Sequence, residues 1–464
     1  MENFWDYNVW GFINLLSLLL VSLLAGNLLK KYVPGLKKML IPTSVLGGLI
    51  LILVETVYEA FSGNILYDTA FFGGNGTATL EVLTYHTLAL GFTASAMKSS
   101  GAKLGKKRTA EIFNTGVTTV STYLMQAVLG MGITMVAALL ISGFFPAAGV
   151  LLPFGFGQGT GQALNYGNIY ETQFGFTGGR SFGLTIAALG FLSASIGGVI
   201  HLNILRRKGK IISGKQETGT ISAEQIQGEN EIPMQESIDK MTVQLALIAL
   251  AYMLAYFLML LLGKLLPGMR SVIFGFNFLL GVLAATLIKT VLNLFNRMRI
   301  FRRVQTNDFL LTRMSNLFFD IMVVAGIAAI RLSALEDYWG IILILGVVGL
   351  VSTYAYNYFV AKTLFPEYTQ EQFLAMYGML TGTASTGIIL LREIDGDFKS
   401  PAADNMVYQN FPAIVFGFPM MLLATLAPEK PILTYIILVL FFIFMNVLLF
   451  RSKIFGKKKV TVEK

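Results

Sequence analysis

Residues Gly155-Phe156-Gly157-Gln158-Gly159-Thr160-Gly161 alternate four glycines with larger or polar residues, and they lie between long apolar segments. Each glycine in a helix interior costs about 1 kcal/mol, so this run predicts broken or irregular backbone. At membrane depth such backbone is tolerated only where it lines a cavity or is buried in protein. With Gln158, Thr160 and Gln162 it offers donors and acceptors to a small polar solute or an alkali cation. A second run, Thr381-Gly382-Thr383-Ala384-Ser385-Thr386, supplies hydroxyls and carbonyls, which are hard oxygen donors for an alkali cation. A helix N-terminus beside it could hold a carboxylate. Asp320 falls inside an apolar segment, where a carboxylate is costly and usually functional. Arg392 could clamp a carboxylate bidentately, and Asn410 stands at helical spacing among apolar residues. Each has a plainer alternative. Glycines pack helices closely in membranes, and Ser and Thr bond back to their own helix. Asp320 could lie at the headgroups, and Arg392 with Glu393 could be a surface ion pair. Asn114, Gln126 and Asn357 read as interhelical hydrogen bonds, and His86 and His201 as structural residues.

The segments that carry these residues are membrane-like. Of the 464 residues 55% are hydrophobic and 13% charged, with mean hydropathy +0.66; soluble domains carry roughly 25% charged residues. The chain has no cysteine and two histidines, which excludes disulfides, zinc-thiolate sites and multi-histidine metal centres. No paired catalytic set for an intramembrane enzyme is present. The glycine run lacks the strand–helix context and the lysine of a phosphate-binding loop. Apolar runs far exceed the roughly ten-residue segments of a membrane β-barrel. The first run follows an acidic start, Glu2 and Asp6, and reads as a retained span rather than a signal peptide.

Eleven spans are expected, near 10–29, 41–58, 82–97, 110–141, 181–205, 241–263, 272–294, 314–332, 340–361, 404–426 and 432–450. With the N-terminus outside and the C-terminus in the cytoplasm, all but five of the 35 Lys and Arg residues fall on the cytoplasmic face. The five are Arg180, Lys264, Arg270, Arg331 and Lys430. This satisfies the positive-inside rule only if 147–167 and 371–391 are re-entrant hairpins, entered from outside and from inside respectively. Residues 1–205 and 241–426 then follow the same plan of five spans and one hairpin, and the odd number inverts the second repeat. Residues 206–240 form a polar cytoplasmic linker, and 427–464 add one span and a basic tail. The fold class is all-α polytopic membrane protein with two inverted repeats, an architecture typical of secondary transporters.

Specific residues resemble a known family. Lys37-Lys38-Met39-Leu40-Ile41-Pro42, Val45-Leu46-Gly47-Gly48-Leu49, Gly157-Gln158-Gly159-Thr160-Gly161-Gln162-Ala163, Phe174-Gly175-Phe176-Thr177 and Thr185-Ile186-Ala187-Ala188-Leu189-Gly190 are similar to motifs of the bacterial sodium/glutamate symporter family, with Gly378 to Ile388 in place of its second hairpin. The resemblance spans about 400 residues. It implies sodium-coupled uptake of glutamate or a similar anion in the bacterial cytoplasmic membrane, a homodimer built on scaffold spans, and a mobile core carrying the hairpins in an elevator-like cycle. No other cofactor is expected. Substrate and ion contacts are then expected from Gly157, Gln158, Gly159, Thr160, Gly161, Gln162, Thr381, Gly382, Thr383, Ser385, Thr386, Asp320, Arg392 and Asn410. Sodium is expected at Thr160, Thr383, Ser385 and Asp320.

Overall fold

The computed structural model describes residues 3–98, 105–209, 231–232, 238–267, 270–301, 303–395 and 399–454. Most of the expected linker and the end of the basic tail lie outside them. The elements are α1 (Tyr7–Tyr32), α2 (Pro34–Lys38), α3 (Thr43–Ser62), α4 (Gly76–Ala96), α5 (Lys106–Leu140), α6 (Leu151–Phe174), α7 (Gly179–Arg207), α8 (Lys240–Leu265), α9 (Arg270–Gly275), α10 (Asn277–Arg297), α11 (Asp308–Ala328), α12 (Trp339–Leu364), α13 (Thr369–Thr381), α14 (Ala384–Arg392), α15 (Ala402–Tyr408), α16 (Asn410–Leu426) and α17 (Pro431–Leu449). Among the described residues the only extended pairing is a single bridge between Glu231 and Val304.

Nine of these helices are long and apolar enough to cross a bilayer, and the pair Ala402–Tyr408 and Pro412–Leu426, bent by 52°, makes up to ten. By length and hydropathy, ten of the eleven expected spans are therefore accounted for among the described residues. The run at 82–97 forms helix α4, which is less apolar than these because it carries Glu81, His86 and several threonines. Those threonines turn inward on their own helix: Thr84, Thr87 and Thr93 donate to the carbonyls of Leu80, Leu83 and Ala89 at 2.8, 2.6 and 2.7 Å. The helix ends follow local chemistry. Gly63 closes α3 in the left-handed region at φ 69°. Asp239 caps α8 through the Thr242 amide, and Asn307 caps α11 through the Leu310 amide.

The chain divides into two compact units. One comprises Met1–Lys103, Thr160–Ile169 and Lys215–Leu335. Its centre is α4 packed on α10 and α11. Ser315 donates to the Gly91 carbonyl at 2.9 Å, and Gly91 itself lies against the Phe319 ring. Lys289 on α10 reaches the carbonyls of Ala96 and Lys98 at 3.0 and 2.9 Å, closing the C-terminal end of α4. The fully buried Lys240 ammonium pairs with Glu231 at 2.6 Å, and Asn307 donates to the same carboxylate oxygen at 2.6 Å.

The other unit comprises Leu104–Gly159, Tyr170–Gly214 and Glu336–Lys464. Here α5 packs on α12, α16 and α17, and α7 on α12 and α13. A polar stripe runs along α5 at helical spacing. Thr115 accepts from Gln372 at 3.2 Å, Thr119 donates to Gln409 at 2.9 Å, Thr122 accepts from Asn357 at 3.4 Å, and Gln126 donates to Thr353 at 2.8 Å. Tyr170 anchors α16 by donating to the Ala424 carbonyl at 2.6 Å.

Candidate functional site: two broken helices

The first glycine run is mostly helical, contrary to the expectation from propensity. Only Gly159 leaves helical geometry, at φ 78° and ψ −171°, inside the otherwise helical α6. That region of backbone space is essentially reserved for glycine. Packing explains why the other glycines stay helical: they let neighbours approach to backbone distance. A Cβ on Gly155 would meet Ile186 at 2.7 Å and the Ala187 amide at 2.8 Å. A Cβ on Gly157 would strike the Tyr123 ring.

The second run breaks completely. Helix α13 stops at Thr381, Gly382 takes φ −144° and ψ −106°, and α14 starts after the N-cap Thr383. The two helices fold back on each other. A Cβ on Gly378 would sit 2.7 Å from the Cα of Gly387, and one on Gly387 would strike the Ala375 carbonyl.

Within the unit that holds Gly157 and Thr381, three helices bring the two runs together. A Cβ on Gly190 of α7 would lie 2.6 Å from the Thr381 carbonyl oxygen and 3.1 Å from the Phe156 Cα. On α5, Tyr123 donates its hydroxyl to the Gly157 carbonyl at 3.0 Å. One turn on, Gln126 donates to the Leu380 carbonyl at 3.0 Å. The Phe156 ring packs against Gly349 of α12. A carbonyl beside each break is thus held by a side chain of the same helix, α5.

The hydroxyls of the second run are largely committed to their own backbone. Thr381 donates to the Tyr377 carbonyl at 2.6 Å. Thr383 accepts from the Thr386 amide at 3.5 Å, and the two hydroxyls lie 3.3 Å apart. Ser385 falls in the first turn of α14. Gln158 keeps a buried Nε2 with no hydrogen-bond partner among the described residues. Arg392 is exposed at the far end of α14, a helix length of about 13 Å from the break. Its neighbour Glu393 pairs with Arg206 at 3.1 Å. Asn410 is exposed and accepts from Gln409 at 3.0 Å.

The remaining expected residues belong to the other compact unit. Thr160 is fully buried and donates to the Met322 carbonyl of α11 at 3.2 Å. A Cβ on Gly326 would meet its Cβ at 2.6 Å. Asp320 lies two residues before Met322 on α11 and is exposed. Gln162 is buried and accepts from Asn165 at 3.4 Å, while Asn165 also donates to the Gly275 carbonyl at 2.7 Å; the Gln162 Nε2 has no partner among the described residues. Gly161 lies against Leu88.

Asn114, Gln126 and Asn357 make the expected interhelical bonds, Asn114 accepting from Arg451 at 3.0 Å. His201 is held between Tyr354 and Gln370, both at 2.7 Å, and His86 contacts Tyr252 at 2.7 Å. Tyr123 was not anticipated. The signal for it was the spacing of Thr115, Thr119, Thr122 and Gln126, which marks a polar face on α5.

Many apolar spans with two glycine-centred breaks in buried surroundings define a multi-pass membrane protein of the transporter class. The chain belongs to the sodium/glutamate symporter family, whose model matches residues 11–386, a stretch that includes both breaks. No curated protein matches the chain. Membership makes it a membrane transport protein of the symporter type.

Proposed function

We propose that this protein carries glutamate, or a similar small anionic amino acid, across the bacterial cytoplasmic membrane together with sodium, by alternating access of the elevator type. The observation that carries this reading is the double break at Gly159 and Gly382, with a carbonyl beside each held by Tyr123 or Gln126. Broken helices of this kind present carbonyl ends to cations and amide ends to anions. The unpaired Gln158 amide donates to a substrate carboxylate, because a buried donor without a partner costs about 1–3 kcal/mol until one arrives. Oxygens of Thr383 and Ser385, and separately of Thr160 and Asp320, serve sodium. Residues 147–167 and 371–391 act as re-entrant hairpins of two inverted repeats, with the N-terminus outside, the C-terminus in the cytoplasm, and the protein working as a homodimer. Support for the orientation is the charge bias of the loops.

Purified protein in proteoliposomes tests the reading. An inward sodium gradient should accumulate radiolabelled glutamate, and choline in place of sodium should abolish accumulation. Uptake driven equally well by a proton gradient without sodium would overturn the coupling. Gln158→Ala should raise the KM for glutamate about tenfold, the equivalent of one lost charge-assisted hydrogen bond of roughly 1.5 kcal/mol.

A further inference from the structure

The α5 stripe contains two acceptors with nothing to accept. Gln126 is fully buried, and both hydrogens of its amide are committed, to Thr353 Oγ1 at 2.8 Å and the Leu380 carbonyl at 3.0 Å. Its Oε1 has no partner among the described residues. Asn357, 1% exposed, commits its amide to the Thr353 carbonyl at 3.0 Å and Thr122 Oγ1 at 3.4 Å, and its Oδ1 is likewise unpaired. These bonds fix which end of each amide is oxygen, since carbonyls can only accept. Both amides hang on the same residue, Thr353, one helical turn apart on facing helices. Two more oxygens, the hydroxyls of Thr122 and Thr353, border them. No carboxylate or basic group is among these contacts.

We propose that Gln126 Oε1 and Asn357 Oδ1, with the hydroxyls of Thr122 and Thr353, form a binding site for a dehydrated alkali cation behind the second helix break. Neutral oxygens suit such an ion, as carbonyls do in selective pores. The amide nitrogens already have partners, so only a positively charged or hydrogen-donating guest satisfies the leftover oxygens. Gln126 links the site to the break, because the amide whose oxygen holds the cation also holds the Leu380 carbonyl. Occupancy therefore stiffens the end of α13. The site is separate from the sodium positions proposed above. The choice of sodium as the ion rests on the proposed function.

Sodium binding without glutamate tests it. Sodium, and not choline, should raise the melting temperature of the purified protein in the absence of substrate. Asn357→Ala and Gln126→Leu should each raise the half-saturating sodium concentration for that shift at least tenfold. Thr122→Val, nearly isosteric, should raise it about threefold while folding normally. A wild-type protein that shows no sodium shift, or folded variants that keep the wild-type response, would overturn the site and leave the oxygens to an ordered water. A sodium shift lost in the variants, alongside glutamate uptake that ignores sodium, would keep the site and remove the proposed coupling.

Discussion

Gly159 and Tyr123 carry the most weight per atom. Gly159 takes a φ of 78° with extended ψ, where any side chain is strained by about 1–3 kcal/mol. Gly159→Ala should therefore leave the protein inserted in the membrane but cut glutamate transport at least tenfold, measured as initial uptake normalised to protein in the membrane. The Tyr123 hydroxyl meets the Gly157 carbonyl, so in the proposed site it acts by positioning that backbone. Tyr123→Phe removes one hydrogen bond of about 1 kcal/mol and leaves the ring that covers Gly157. The expected result is a roughly fivefold rise in KM with a small change in melting temperature. A large melting loss without a KM change would make Tyr123 purely structural.

Helix pairs decide how firmly these residues are held. The α13–α14 hairpin closes because Gly378 and Gly387 let the two helices meet at backbone distance. Gly378→Leu overfills that contact and should cost about 1–3 kcal/mol, read as a lower melting temperature of the purified protein. The buried Lys240–Glu231 pair joins a linker residue to the start of α8, with Asn307 completing the carboxylate's bonds. Removing one partner of a buried pair leaves an unpaired charge and costs about 3–5 kcal/mol. Glu231→Ala should thus destabilise more than the double variant Glu231→Leu with Lys240→Met, which a double-mutant cycle on melting will show.

At the scale of the whole chain, the proposed orientation rests on loop charge. The protein has no cysteine, so single cysteines can be introduced on a silent background. Asn64→Cys, after α3, should react with a membrane-impermeant maleimide on intact cells. Lys208→Cys, after α7, should react only once the membrane is opened. The reverse pattern would invert the proposed topology. Each compact unit draws on both the first and second half of the sequence, and the chain passes from one unit to the other at Gly159 and Thr160, the break in α6. The expected site residues are shared out accordingly, Gln158 and Thr383 with one unit and Thr160 and Asp320 with the other.

Apolar runs and loop charge needed only the sequence, because hydropathy and the positive-inside bias are local sums over residue types. They identified nine of the spanning helices, the bent tenth, and the two glycine-rich segments. Local composition failed at 155–161, where all the glycines but Gly159 stay helical, packed at Gly155 and Gly157 against Ile186 and Tyr123 in the space side chains would need. Whether a glycine breaks a helix or packs it depends on the neighbour it faces, and that neighbour is far away in sequence. For the same reason only the tertiary structure singled out Gly159 as the break in the first run, with Tyr123 beside it and Gln126 beside the second break. It also decided that Thr381, Thr383 and Thr386 spend bonds on their own helices, while Gln126 and Asn357 keep oxygens unpaired: a hydrogen bond belongs to two residues, and the sequence names only one at a time.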